Sequence, residues 1–341
     1  MDRNVNKKIF VSIACFMDSD VVNTVNDLFR QAKFPERVSV GVCLQYAPEL
    51  AKKNADGVDE FAALDTIKRV QVDKLHYTEA RGPIYARYRC EKLLRDEDFF
   101  LQIDCHSRFF ANWDEILLEE FARCREVSDK VVISHYPIAI PEMTNPERLN
   151  LIGRIDRFRE VSADDIKMHG TLVRVPNTPQ ASFGISAAML FMESSVKRAL
   201  PYDANLHNGL HAAEQFLYSA RLWTAGYDFM VPTRHALATE YLSNRERIPD
   251  PAWQHYCSEY NKWRLKTWTK VKYYLELDNL AQVDESYQTD VLENRERFAP
   301  GTTRALVDYY RFTGLHTELI KYFPFYAQRH VQAFSIFNSA D

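Results

Sequence analysis

The sequence predicts an α/β fold that opens on a parallel sheet, and three observations carry that prediction. A short apolar run rich in β-branched residues, 8–15, is followed by a helical pattern over 21–32 and a second strand-like run over 37–45. Further on, Phe99-Phe100-Leu101 leads straight into Gln102-Ile103-Asp104-Cys105-His106, placing an acid and an imidazole at the end of a buried strand. Strand and helix patterns keep alternating as far as 227–231. Such alternation describes a sheet covered by helices, with nucleotide-binding potential at its carboxyl edge.

Each element has its own local reason. Asp18-Ser19-Asp20 offers capping side chains for the first helix, whose apolar residues Val21, Val22, Val25, Leu28 and Phe29 fall at helical spacing before Pro35 stops it. The polar stretch 54–65 predicts a loop or short helix, and 70–77 a third strand. Gly82-Pro83 punctuates, and 84–94 reads as a helix carrying Arg87 and Arg89. A fourth strand over 98–103 ends at the acidic motif. A helix over 113–127 and a fifth strand over 130–134 follow. Prolines at 137, 141, 146, 176 and 179 predict a long irregular excursion of the kind that carries binding function. Regular patterning returns at 184–192, in a helix over 212–225 ended by Gly226, and in a strand over 227–231. Beyond Trp253 the pattern is helical and aromatic.

Composition bounds the function. The chain of 341 residues, 46% hydrophobic and 13% aromatic, can bury a large core. Its net charge of -4 gives no reason to expect nucleic acid as a partner. No apolar run predicts a transmembrane segment, and the start of the chain is polar rather than signal-like. Six cysteines without a CxxC pair read as reduced thiols, which predicts a cytoplasmic setting.

Three segments are candidates for chemistry. Side chains two apart on a strand share a face, so Asp104 and His106 can present an oxygen and a nitrogen to one divalent metal, with Cys105 turned away. The blander alternative is an Asp that caps a turn beside a surface His. Gly82-Pro83 opening a helix leaves backbone N–H groups that suit an anion, and Arg81 and Arg87 can add bonds to a diphosphate; ordinary solvated arginines are the alternative. Glu214 and Arg221 lie two helical turns apart, either as a surface pair or with the carboxylate holding sugar hydroxyls or an acceptor. His207 and His211 read as loop residues, since no HExxH glutamate accompanies them.

Taken in order, these segments resemble a known family. Val11-Ser12-Ile13-Ala14, Arg81-Gly82-Pro83 with Ala86-Arg87, Leu101 to Phe109 with Trp113-Asp114, and Glu214 followed by Arg221-Leu222-Trp223-Thr224-Ala225-Gly226-Tyr227-Asp228 are similar to the polypeptide α-N-acetylglucosaminyltransferases of the type that modifies the Skp1 protein. They resemble the polypeptide GalNAc-transferases more distantly. The resemblance implies a GT-A fold (Rossmann-like, for nucleotide-diphospho-sugars), a UDP-sugar donor with UDP-GlcNAc foremost, Mn²⁺ or Mg²⁺ on the diphosphate, and retention of configuration. It implies that Asp104 and His106 ligate the metal and that Arg87, Ser12 and Ala14 contact the donor. Gly184 then lines the sugar pocket, and Glu214 faces the sugar or the acceptor.

Two positions depart from that family. Its third metal-ligating histidine, two residues before a tyrosine, is Thr239 here, before Tyr241, which leaves Glu240 or alternatively His235 as substitutes. Its Gly-Glu-Glu becomes Ala213-Glu214-Gln215. The expectation is therefore a GT-A domain over 1–250 and a helical appendage over 251–341 that shapes the acceptor side or a homo-oligomer surface. The acceptor is a hydroxyl of a glycan or a protein, and the enzyme is cytoplasmic or peripheral at a membrane. A nucleotidyltransferase is disfavoured, because 16–20 contains no glycine for a phosphate loop after the first strand. A non-catalytic sugar-nucleotide-binding relative is the remaining alternative.

Overall fold

The computed structural model describes residues 6–208, 212–241 and 247–337. Its first half runs β1 (Ile9–Phe16), α1 (Asp20–Gln31), β2 (Val38–Tyr46), β3 (Val70–His76), α2 (Pro83–Glu91) and β4 (Phe99–Asp104). Then come β5 (Ser107–Phe109), α3 (Trp113–Arg125), β6 (Val131–Ser134), β7 (Ile138–Ala139), α4 (Pro146–Leu149), β8 (Leu151–Val161), β9 (Ile166–Arg174), β10 (Gln180–Ser182), β11 (Met189–Glu193) and α5 (Ser194–Ala199). After these follow a π turn at Ala212–Phe216, α6 (Leu217–Thr224), β12 (Asp228–Val231) and β13 (Leu237–Thr239). Five helices close the described chain: α7 (Asp250–Tyr274), α8 (Glu285–Phe298), α9 (Leu306–Phe312), α10 (His316–Tyr322) and α11 (Pro324–Phe337).

The main sheet has eight strands in the order β10-β12-β6-β11-β4-β1-β2-β3. Strands β4, β1, β2 and β3 are mutually parallel, as the opening pattern predicts, while β11 runs antiparallel to both β4 and β6. The sheet is therefore mixed. Alternation along β1 explains its two faces. Ile9, Val11 and Ile13 enter a core with α1 and α3, built on Val25, Leu28, Trp113 and Phe121. Phe10 enters the opposite core, together with Ile84 of α2 and Phe100 of β4. Both faces are covered, so the strands read as continuous apolar runs.

That second core does not stop at residue 250. It continues from Phe10 and Phe100 through Phe216 and Leu217 to Trp268, Tyr309 and Tyr326, so the C-terminal helices share one apolar interior with the sheet. Lys270 of α7, fully buried, bridges Asp203 at 2.9 Å and also pairs with Asp290 of α8. The lysine thus ties α7 to the segment between α5 and the π turn.

The excursion predicted as irregular contains a long antiparallel hairpin, β8 with β9, with register shifts between Ile155 and Arg157 and between Phe158 and Glu160. The prolines that suggested a loop lie outside both strands. Tyr136 explains two glycines of the hairpin: a Cβ on Gly153 would lie 2.8 Å from Tyr136 Cβ, and one on Gly170 would lie 2.6 Å from the same ring.

Candidate active site

A cleft of about 950 Å³, counted with its open mouth, lies at the carboxyl ends of β1 and β4. From β1 it is lined by Ala14 and Phe16, and from the following turn by Asp18. Gln45 of β2 adds to this wall, and the start of α2 contributes Ala80, Gly82, Pro83 and Arg87. Asp104, Cys105 and His106 form its floor. Parallel strands deliver these groups together because Ala14 and Asp104 are register partners, so both chains leave the sheet at the same edge.

Gly82 has a local reason to be glycine. It has φ of 88° and ψ of 178°, a conformation that side chains rarely tolerate. A Cβ there would also lie 2.7 Å from Asn208 Cα. Asn208 N–H donates to Arg81 C=O at 2.8 Å, which fastens the loop before the π turn against the start of α2.

Asp104 and His106 do face one another, with Oδ2 and Nε2 4.0 Å apart. The strand geometry predicted for them does not extend that far. β4 pairs with β1 only as far as Asp104, and the backbone bends at Cys105 and His106 before β5 begins. Cys105 is consequently not turned away, and its Sγ lies 3.5 Å from His106 Nδ1. Asp18, read from the sequence only as a helix cap, has a second role. One oxygen accepts from Asp20 N–H at 3.1 Å, and the other lies 3.1 Å from His106 Nδ1. Arg247 Nε stands 3.2 Å from that same oxygen.

Burial disfavours a charged His106 ring, but the hydrogen bonds from Asp18 and Cys105 and the charge of Asp104 outweigh it, raising the imidazole to about 10. Burial also opposes the charge on Asp18, and the bond and charge of His106 reverse this, lowering the carboxyl below its usual range. Asp18 therefore fixes His106 through Nδ1 and leaves Nε2 directed at Asp104. This is the arrangement by which a carboxylate orients a metal-ligating histidine. A hard oxygen and an imidazole nitrogen suit Mn²⁺ or Mg²⁺, so the residues fit such an ion. Among the described residues, Asp18, Cys105 and His106 also bring ligand atoms within 4.8 Å of one another. Cys105 suits a metal less well: hydrogen bonding with Cys15 and burial push its thiol well above the ordinary value, and the thiolate is the ligand form.

Arg87, almost fully buried, lies between two carboxylates. It bonds Glu214 through Nε and stands 3.3 Å from Asp104, while Nη2 also donates to Ala187 C=O at 3.1 Å. Burial works against its charge, and the two carboxylates reverse that and hold it protonated. Glu214 thus joins the site through Arg87 and not through Arg221. Arg221 instead donates to Pro201 C=O at 2.8 Å and Arg297 C=O at 2.9 Å, within the helical side of the molecule. The π turn at Ala212–Phe216 breaks the helical register that would have placed the two on one face.

The remaining predicted residues fall at graded distances. Ala14 lines the cleft, Ser12 is fully buried two residues deeper on the same face of β1, and Arg81 is exposed, with its guanidinium 5.2 Å from the Tyr85 ring centre. Gly184 is packed rather than open: a Cβ there would come within 2.5 Å of Met168 and Ser219 side chains. The segment that follows it supplies the Ala187 carbonyl. Pairing of β13 with β5 brings Thr239 opposite Ser107, and Glu240 N–H donates to His106 C=O at 2.9 Å. His235 sits farther down that chain, 6.0 Å from the Phe110 ring and 6.1 Å from His135. At about 3.3 Å per residue it lies roughly 13 Å along the backbone from Thr239. His207 meets Trp263 edge-on, and His211 lies outside the described residues.

The sequence reading missed the fourth wall of the cleft. Trp253, His255, Tyr256 and Glu259 of α7, with Ile248 before it, also line the cleft, and the Tyr256 ring meets Phe16 of β1 with centroids 5.9 Å apart. The aromatic spacing on α7 was the signal available.

The family model described as glycosyltransferase (GlcNAc) matches residues 8–61 and 49–319. Among solved structures, the chain is similar to GalNAc-T7 crystallised with UDP, GalNAc and Mn²⁺, at 12% identity and a TM-score of 0.52, over 93% of this chain. This chain spans only 59% of that protein's length. Staphylococcus aureus TarS 1-349 aligns at 11% identity over 90% of both chains with a TM-score of 0.43, too low to carry an argument. No curated protein sequence matches the chain. The likeness to GalNAc-T7 speaks for the fold alone. The family match covers most of the chain and all of the cleft's floor, and on that ground the chain belongs to the GlcNAc glycosyltransferase family.

Proposed function

We propose that the chain is a metal-dependent, retaining glycosyltransferase that moves a sugar, GlcNAc foremost, from a UDP-sugar to a hydroxyl of a glycan or protein. The observation that carries the reading is the opposition of Asp104 Oδ2 and His106 Nε2 at the carboxyl edge of β4, with His106 oriented by Asp18. Asp104 and His106 would hold Mn²⁺ or Mg²⁺, with Glu240 the third candidate because its backbone already borders His106. Such an ion neutralises charge on a departing diphosphate as a Lewis acid.

The chain's own groups account for the rest. Phe16 and Gln45 at the strand ends offer a stacking face and an amide for a base, and the start of α2 faces the phosphates. Arg87 holds Asp104 and Glu214 in fixed positions, so both carboxylates are preorganised before substrate arrives. Glu214, which borders the cleft only through Arg87, is the acid that the resemblance assigns to hydroxyls of the donor sugar or the acceptor. Attack by the acceptor hydroxyl from the leaving-group face needs no enzymic nucleophile. GalNAc-T7, of the same fold, is crystallised with UDP, GalNAc and Mn²⁺, which supports the donor class and the metal. Among the described residues no helix is long and apolar enough to cross a membrane.

Thr239 in place of a ligating histidine favours a second reading, a binding relative without turnover. UDP release from a panel of UDP-sugars, with Mn²⁺ and with EDTA, separates the two. Slow hydrolysis of one donor, abolished by EDTA and by Asp104→Ala, supports the transferase and identifies the sugar. UDP binding with no release from any donor supports the relative.

A further inference from the structure

We infer that Gln102 is a positioning residue for the donor site, setting the Arg87 guanidinium between Asp104 and Glu214 by way of the Ala187 carbonyl. The inference deepens the transferase reading and rests on it for its kinetic readout alone.

A glutamine in a central strand needs a reason. Phe100, Gln102 and Asp104 alternate onto one face of β4. Phe100 enters the apolar core and Asp104 reaches the cleft, while Gln102 between them is fully buried. A buried amide without partners is costlier than an apolar side chain of its size. Both ends of this one are satisfied. Its Nε2 donates to Ala187 C=O at 3.0 Å, and its Oε1 accepts from the Tyr202 hydroxyl at 3.0 Å. The backbone carbonyl can only accept, so the amide has one orientation.

The Ala187 carbonyl is where this amide meets the site. Arg87 Nη2 donates to the same oxygen at 3.1 Å and stands 3.3 Å from Asp104 Oδ1, while Nε bonds Glu214. One carbonyl oxygen thus takes both donors, one for each lone pair.

From Gln102 the bonds return to the helix that carries Arg87. Tyr202 N–H donates to the Glu91 carboxylate at 3.1 Å, and Glu91 follows Arg87 by one turn of α2. Lys197, buried as well, pairs with Glu91 at 2.6 Å and lies 3.4 Å from the centre of the Tyr202 ring. Arg87, Ala187, Gln102, Tyr202 and Glu91 therefore form a closed circuit that ties together α2, β4, the turn before β11 and the turn after α5. A polar network whose members are all paired rigidifies what it holds. This one reaches the cleft at Arg87, so the group it holds still is the one that spans two carboxylates.

Gln102→Leu, Tyr202→Phe and the double variant test this. Hydrolysis of UDP-GlcNAc, or of the UDP-sugar that the wild type turns over, is measured with Mn²⁺. Rates are referred to the UDP-binding fraction found by calorimetry, so misfolded protein does not count. Gln102→Leu should lower kcat about ten-fold, the effect of one lost hydrogen bond, with KM changed much less. Tyr202→Phe should lose less in the same direction. The double variant should be no slower than Gln102→Leu, because the hydroxyl acts through the amide. A second readout needs no turnover. The Arg87 Nε–H proton, assigned in NMR spectra by its absence from Arg87→Lys, should exchange with solvent about ten-fold faster in Gln102→Leu than in the wild type. Wild-type exchange in Gln102→Leu overturns the inference, as does wild-type kcat, a loss confined to KM, or a double variant whose losses multiply. If Gln102→Leu does not fold, Tyr202→Phe decides, and wild-type exchange or kcat there overturns it. Faster exchange in a protein that hydrolyses no donor upholds the positioning and removes only the transferase reading.

Discussion

The Nδ1–H of His106 donates to Oδ2 of Asp18 across 3.1 Å, and this bond leaves the other ring nitrogen 4.0 Å from Asp104. Asp18 is buried and stands two residues beyond the end of β1, while His106 stands two beyond the end of β4. Two parallel neighbours therefore hand over an acid and the histidine it orients at matching points.

Asp18→Ala should lower Mn²⁺ affinity by about 10–100-fold, the usual effect of losing the carboxylate behind a ligating histidine. Asp18→Asn keeps an acceptor and should cost less. Calorimetric Mn²⁺ titration of the wild type and both variants checks this, and equal affinities would remove Asp18 from the role.

Arg87→Met should destabilise the fold by about 3–5 kcal/mol, because Glu214 is then left buried without its partner. Adding Glu214→Gln should recover part of the loss, since the unpaired charge is removed as well. Urea unfolding of the two single variants and the double variant measures the coupling.

Gly82→Ala should cost about 1–3 kcal/mol through backbone strain alone, and its Cβ must also displace Asn208. Because Gly82 lines the cleft, UDP affinity should fall in parallel. A thermal melt and a UDP titration read the two effects, and an unchanged melt would show that the turn can relax.

Acid should weaken the fold through His135. Burial, with the neighbouring His235, lowers its imidazole to about 3, against a weaker opposing bond to the Tyr136 carbonyl. The unfolded chain takes up a proton below about pH 6.5 that the folded chain refuses, so stability is full above that pH and is lost as pH falls toward 3. The slope from this one group is at most about 1.4 kcal/mol per pH unit. His135→Asn should flatten the dependence between pH 6 and 4, as measured by urea midpoints. An identical pH profile would place the acid sensitivity elsewhere.

Much of this was legible in the chain because it depends on local pattern. Apolar runs ending at Asp104, a Gly-Pro helix start and helical spacing after Asp18 each report on a few consecutive residues, and the strands and helices of the first half follow them. Where local pattern and outcome diverged, a longer-range contact was responsible. Prolines marked 137–179 as irregular, yet Tyr136 backs Gly153 and Gly170 and a hairpin forms between them. Glu214 and Arg221 had ideal helical spacing, yet the π turn sent one to Arg87 and the other to the Pro201 and Arg297 carbonyls.

By itself the sequence determined the α/β alternation and the nearness of Asp104 and His106 at the end of one strand, since strand and helix periods are properties of neighbouring residues. Only the tertiary structure decided that Asp18 aims the histidine, that Arg87 spans two acids and that α7 walls the cleft. Asp18 and His106 are 88 positions apart and Arg87 and Glu214 127, and α7 meets Asp104 across about 150; no local period encodes which distant side chains a packed core will bring together.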